Sequence, residues 1–205
     1  ATDYRISLGG VSGHSEALDQ TTALTVAVVD GDGDASASAA LTVSFNAAGA
    51  IMGTAGADAL GGDSLANLLV GGAGNDHLLG GLGSDTFKWS LADAGTAGAP
   101  AVDRIGDFNN APAANGGDVL DLRDLLVNES HTGTNAGNLT NFLHFESNGG
   151  DTVIHVSTNG GFSGGYNAGV EQQTIVLEGV NLLAGGLNDQ QAIQNLLTNN
   201  KLVAD

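Results

Sequence analysis

GTAGADALG (53–61), GDSLANLLV (62–70), GGAGNDHLL (71–79) and GGLGSDTFK (80–88) follow one another without a gap. Glycine opens each nine-residue unit. The sixth place holds Asp58, Asn67, Asp76 and Asp85, and the eighth holds Leu60, Leu69, Leu78 and Phe87. Glycine permits backbone angles closed to other residues, so the first six places read as a turn. The last three read as a short strand whose eighth residue points inward while the seventh and ninth point out. Two units then make one circuit of a flattened coil, and units two apart share an edge. A flexible glycine-rich linker would not keep an apolar residue at a fixed phase.

This phasing stacks Asp58 near Asp76 on one edge and Asn67 near Asp85 on the other. Stacked carboxylates repel unless a cation lies between them. Carboxylate and carbonyl oxygens in an irregular cage suit calcium better than magnesium. The spacing corresponds to G-G-x-G-x-D-x-U-x, the nonapeptide of calcium-loaded parallel β-helices. Units 71–79 and 80–88 match every fixed place. Unit 62–70 departs from it, with Asp63 and Leu65 for glycines and Asn67 for Asp, so a weaker site is expected there. In the same phase GAPAVDRIG (98–106) sets Asp103 sixth and Ile105 eighth. That predicts a degenerate last half-turn in which Asp85 and Asp103 share a third ion, with the opposite edge ending at Asp76, close to Asp93.

The units resemble those of the RTX family of bacterial proteins exported by type I secretion. The resemblance implies ligation by the sixth-place side chain and by carbonyls of the second and fourth places. Carried over, these are Thr54, Gly56 and Asp58, Asn67, then Gly72, Gly74 and Asp76, then Gly81, Gly83 and Asp85, with Asp103 added by the extended phase. Asp107 is a further candidate. About three calcium ions are expected in the roll, and more in the flanks if the Asp30-Gly-Asp-Gly-Asp34 joint wraps a cation through Asp30, Asp32 and Asp34. That joint reads equally as a solvated turn between TTALTVAVV (21–29) and ASASAALTVSF (35–45).

Composition agrees. Lys and Arg total 5 against 23 Asp and Glu, a formal charge of −18 that argues against nucleic acid and anionic membranes. There is no cysteine, which excludes disulfides and thiolate metal sites, and no apolar stretch is long enough to span a membrane. No charged-then-apolar leader stands at Ala1, and the opening strand-like residues Tyr4, Ile6 and Leu8 suggest a piece of a longer protein.

Beyond the repeat, FLHFES (142–147), DTVIHVST (151–158) and QTIVLEGVNL (173–182) read as three antiparallel strands forming a small sheet over the open end of the roll. Asn188, with Gln191 three residues on, reads as a helix capping box, and Ile193, Leu196 and Leu197 as its apolar stripe. Residues 103–205 resemble the C-terminal target domain of type I secreted proteins on large repetitive adhesins, through D-x-I-x-D-F, D-x-L-D-L-x-D-L-L and G-G-D-T-V-I in that order. The segment at 1–50 resembles the end of an Ig-like module.

The expected fold is all-β. A β-hairpin segment at 1–50 precedes a short calcium-binding parallel β-roll at 51–108, followed at 109–205 by a C-terminal antiparallel cap, a short terminal helix and the secretion-signal region. The expected function is a calcium-dependent folding and export module of a secreted or cell-surface adhesin. It would be monomeric, would engage the type I apparatus, and would be exported without an N-terminal signal peptide. A non-catalytic RTX tail of a secreted enzyme, or a ligand-binding module using Phe162 and Tyr166, are the alternatives. H-E-x-x-H does not occur, and no catalytic residue is expected. His144, Glu146 and His155 fall close together on the expected strands without making a convincing triad, and His77 is expected in solvent.

Overall fold

The structure, a computed structural model, describes residues 20–26, 39–45 and 50–205. Strands β1 (Gln20–Val26) and β2 (Ala39–Phe45) pair antiparallel, Gln20 opposite Phe45 and Val26 opposite Ala39. The Asp30, Asp32 and Asp34 candidates and the opening residues Tyr4, Ile6 and Leu8 lie outside the described residues.

From residue 50 the nine-residue phase is visible as geometry. β3 (Ala50–Met52), β4 (Ala59–Gly61), β5 (Leu68–Val70), β6 (His77–Leu79) and β7 (Thr86–Ser90) fall alternately into two sheets. β3, β5 and β7 lie side by side in one and β4 and β6 in the other, all in parallel pairs. The eighth-place side chains Leu60, Leu69, Leu78 and Phe87 are buried between the sheets, each burial contributing about 1.5–3 kcal/mol. The flanking places are half-buried or exposed, as strand alternation requires.

The coil then runs on further than the repeat. Residues 91–100 leave the roll as a loop, after which β8 (Ala101–Ile105) settles beside β6 with Ile105 opposite Leu78. β9 (Val119–Asp124) settles beside β7 with Leu120 opposite Phe87. Each sheet therefore gains one more parallel strand, and Ile105 and Leu120 continue the apolar ladder.

β10 (Leu143–Asn148), β11 (Asp151–Val156) and β12 (Gln173–Leu177) form the expected antiparallel meander. Its position differs from the expectation of a separate sheet over the end of the roll. β12 pairs parallel with β8, Gln173 opposite Ala101 and Leu177 opposite Ile105, so one six-stranded sheet runs β10-β11-β12-β8-β6-β4. An open parallel edge at β8 is satisfied most directly by another strand, and Ile175 and Leu177 bring it apolar side chains at the correct alternation. Helix α1 (Asp189–Thr198) starts at the Asn188–Gln191 capping box and buries Ile193, Leu196 and Leu197. The chain then adds β13 (Leu202–Val203) to the outer side of β9.

Candidate metal centre

The turns joining these strands stack so closely that side chains are excluded from parts of them. A Cβ placed on Gly72 would lie 2.0 Å from the Thr54 carbonyl oxygen, and one on Gly81 would lie 2.1 Å from that of Asp63. One on Gly74 would lie 2.6 Å from the Gly56 carbonyl oxygen, and one on Gly83 the same distance from that of Leu65. Gly72, Gly74, Gly81 and Gly83 all have positive φ, at 91°, 122°, 88° and 121°. Their counterparts Thr54, Gly56, Asp63 and Leu65 do not. Only the two intact units therefore adopt the left-handed turn, since a side chain at the second place disfavours it.

That difference decides where carboxylate oxygens are left free. In unit 53–61 the Thr54 N–H and hydroxyl donate to Asp58 Oδ2 at 2.6 and 2.8 Å. In unit 62–70 the Asp63 N–H donates to Asn67 Oδ1 at 2.9 Å. These turns satisfy their own sixth residue. In the intact units they do not: Asp76 Oδ2 and Asp85 Oδ2 are buried without any hydrogen-bond partner. Each lies against the glycine opening its own turn, Gly71 or Gly80. A buried carboxylate oxygen with no donor is costly, and a cation is what would relieve it.

The other oxygens of these carboxylates build two ladders. The Asp58 N–H donates to Asp76 Oδ1 at 2.9 Å, and the Asp76 N–H to Asp103 Oδ1 at 2.8 Å. On the second edge the Asn67 N–H donates to Asp85 Oδ1 at 2.8 Å, and the Asp85 N–H to Asp118 Oδ1 at 2.9 Å. Asp103 thus extends the Asp58–Asp76 row and does not face Asp85. The cause is the 91–100 loop, which displaces the next half-turn so that Asp103 follows Asp76 by 27 residues in place of 18. Nor does the first edge end at Asp76, and Asp93 is in neither ladder: its Oδ2 accepts from the Ser90 N–H and hydroxyl.

Both outermost carboxylates are already saturated. Asp103 Oδ2 accepts from the Trp89 indole N–H at 2.6 Å and from Gln173 Nε2 at 2.9 Å. Asp118 Oδ2 accepts from the Asn109 N–H at 2.7 Å. Asp107 bridges the Gly80 and Gly81 N–H groups, each at 2.8 Å. These three act as terminators whose acceptors are filled by protein donors. Asp118 was not singled out by the sequence, because the loop before it breaks the nine-residue count. A faint sign was the acid-x-apolar spacing that Asp118-Val119-Leu120 shares with Asp85-Thr86-Phe87.

The electrostatics single out the same two residues. Asp76 is pushed up to about 7 by burial, then by the charges of Asp103, Asp58 and Asp93, against the opposing Asp58 N–H bond. Asp85 is pushed up to about 6 by burial, then by Asp118, Asp107 and Asp63, against the Asn67 N–H bond. Burial also raises Asp103 and Asp118. Among the described residues no three His, Asp or Glu side chains converge into a metal-binding group. A cation here would draw on one or two carboxylates and on turn carbonyls, a donor set of hard oxygens suited to calcium.

The remaining polar candidates form a separate cluster. His144 and His155 stand opposite each other on β10 and β11, with Nδ1 2.8 Å from Asp189 Oδ2 and Glu171 Oε1 respectively. Glu146 Oε2 is 3.5 Å from His155 Nε2, and the Tyr166 ring packs on both imidazoles at 4.6 Å. Phe162 is buried beneath Tyr166, which closes the 159–169 loop as a flap. His77 is exposed on the outer face of β6. No helix among the described residues is long and apolar enough to cross a membrane.

No family model matches this chain, and no curated protein does. Among solved structures it is similar to two subunits of a mannuronan C5-epimerase from Azotobacter vinelandii. The AlgE6R2 subunit has 24% identity and a TM-score of 0.46, with 75% of this chain and 80% of that one covered. The AlgE6R3 subunit has 21% identity and a TM-score of 0.39, with 76% and 80% covered. Likeness at this level leaves the functional reading to the site itself.

Proposed function

We propose that this chain is a non-catalytic, calcium-dependent folding module with one ion held on each edge of the roll. The observation that carries the reading is the pair of orphaned oxygens, Asp76 Oδ2 and Asp85 Oδ2, in the only two units with the complete glycine pattern. On the first edge Asp76 and the carbonyls of Thr54, Gly56, Gly72 and Gly74 would hold the ion, with Asp58 beside it. On the second edge Asp85 would do so with carbonyls of the 63–65 and 81–83 turns, Asn67 contributing an uncharged oxygen. Calcium supplies two positive charges where burial and like charge now oppose ionisation.

Folding is then linked to the ion. The two carboxylates are held apart from solvent only in the folded chain, so calcium binds that state and stabilises it by RT ln(1 + [L]/Kd) per site. Extracellular modules bind calcium with Kd of roughly 10⁻⁴–10⁻³ M. Affinities of that order leave such a chain unfolded where free calcium is scarce and folded where it is plentiful. This behaviour suits a segment exported unfolded to the cell surface, and the sequence resemblance to adhesin target domains supports the type I apparatus as the partner and an adhesin as the parent. The test is calorimetric titration of the chelated protein with calcium, followed in parallel by circular dichroism. The expected result is two ions per chain and a gain of β-structure on binding. Chelated protein with unchanged β-structure and no heat of binding would refute it.

A further inference from the structure

Among the described residues Lys201 is the only Lys or Arg side chain that is buried. It stands between α1 and β13, and nothing in the repeat accounts for it. Its Nζ donates to the carbonyl oxygens of Asn109 and Ala111 at 2.5 and 2.8 Å and lies 4.5 Å above the centre of the Phe108 ring. Burial lowers its pKa to about 8, with the nearby Asp118 charge acting in the opposite sense. Carbonyl oxygens and an aromatic face are what a dehydrated cation would choose, so the ammonium group occupies a ready-made cation site in the 106–118 loop.

That loop also carries both terminators of the second edge. Its outer side presents Asp107 to the Gly80 and Gly81 N–H groups and Asp118 to the Asp85 N–H. Its inner side is held by Lys201. The Asn109 carbonyl accepts from both Lys201 Nζ and the Asp118 N–H, while the Asn109 N–H returns to Asp118 Oδ2. One short hydrogen-bonded path therefore joins the C-terminal strand to Asp85. The first edge has no such link, because Asp103 is fixed by Trp89 and Gln173.

Resting on the calcium reading above, we infer that Lys201 is a positioning residue for the second-edge ion site, and that ion binding at Asp85 and docking of the 189–205 tail are coupled. The coupling is reciprocal, as linkage demands: a docked tail tightens the second site, and an ion at Asp85 withdraws the tail from solvent. The first-edge site at Asp76 is independent of the tail.

The experiment uses the full chain in three forms: unchanged, Lys201→Met, which keeps most of the apolar stem and removes the ammonium, and Asp85→Asn. Calcium is titrated calorimetrically, and tail protection is read by hydrogen exchange of residues 189–205 at each calcium level. The unchanged chain is expected to bind two ions and to gain tail protection with the second-edge ion. Lys201→Met is expected to keep one site unaltered and to weaken the other about tenfold. Asp85→Asn is expected to keep the first site while its tail gains less protection from calcium than the tail of the unchanged chain. If the unchanged chain binds no calcium, the underlying reading fails. If it binds two ions while Lys201→Met binds both unaltered, or weakens both equally, the coupling is overturned. A Lys201→Met chain that does not fold leaves the decision to Asp85→Asn: tail protection that rises with calcium there as much as in the unchanged chain refutes the inference.

Discussion

Replacing Asp76 with asparagine should stabilise the metal-free chain and reduce what calcium adds. The Asn side-chain oxygen can still accept the Asp58 N–H that Oδ1 now accepts at 2.9 Å, so the ladder survives. What disappears is a buried charge. Asp76 titrates near 7 against an ordinary 3.8. Three units at about 1.36 kcal/mol each make the ionised form cost about 4 kcal/mol at pH 8 when no cation is present. Against this, the new amide group sits beside Gly71 without an acceptor, which costs about 1–3 kcal/mol. The metal-free variant should therefore be more stable than the unchanged chain by about 1–3 kcal/mol. In calcium that advantage shrinks or is lost, because the variant forfeits one bound ion, worth about 2.7 kcal/mol at a hundredfold excess over Kd. Urea unfolding at pH 8, with and without chelator, can be followed through Trp89, the single tryptophan of the chain. A variant less stable than the unchanged chain in chelator, or one that gains as much from calcium, would refute the reasoning.

The same electrostatics set a pH dependence. Asp76 and Asp85 titrate near 7 and 6 when folded and near 3.8 when unfolded, so the folded chain holds protons the unfolded one has lost. Metal-free stability should fall as pH rises from about 4 to about 7, and thermal melts in calcium-free buffer should show Tm decreasing across that window; a rising or level Tm would contradict it. Gly81→Ala forces a side chain into a turn with φ of 88° and 2.1 Å from the Asp63 oxygen. It should cost clearly more than the 1–2 kcal/mol or so of left-handed strain alone, whereas Gly186→Ala, with φ of 81° and nothing within 4 Å, should cost only that strain. Paired urea titrations in calcium decide between them, and equal costs would remove the close stacking from the argument. Asp103→Asn should leave the number of bound ions unchanged in calorimetry while costing about 1–3 kcal/mol, because the Trp89 and Gln173 donors lose a charged acceptor.

The repeat itself was legible because its phase is local. Glycine at fixed places, a carboxylate sixth and an apolar residue eighth specify turn, candidate ligand and core without reference to anything distant. The inward Leu60, Leu69, Leu78 and Phe87 and the Asn188–Gln191 capping box follow from such short-range rules. What failed were inferences that counted through residues 91–100. A loop of the right length to imitate one unit kept Asp103 in phase but moved it to the other edge. Asp118 and Lys201 were missed for a related reason. Each earns its place through partners far along the chain, Asp118 at Asp85 and Lys201 at Asn109, and no local pattern records such a pairing.

The junction of β12 with β8 gives the roll a direction of growth. The β10–β12 meander is built from neighbouring antiparallel strands, and its β10–β11 hairpin closes a tight turn and forms early. Its free edge then offers β8 a template, β8 offers one to β6, and β6 one to β4. Assembly would thus zip from the C-terminal side back towards Ala50, each turn laid on a finished neighbour, as in other stacked repeats. Pulse-labelled hydrogen exchange during calcium-triggered refolding would show β11 and β12 protected before β4, and the reverse order would mean that the roll starts itself.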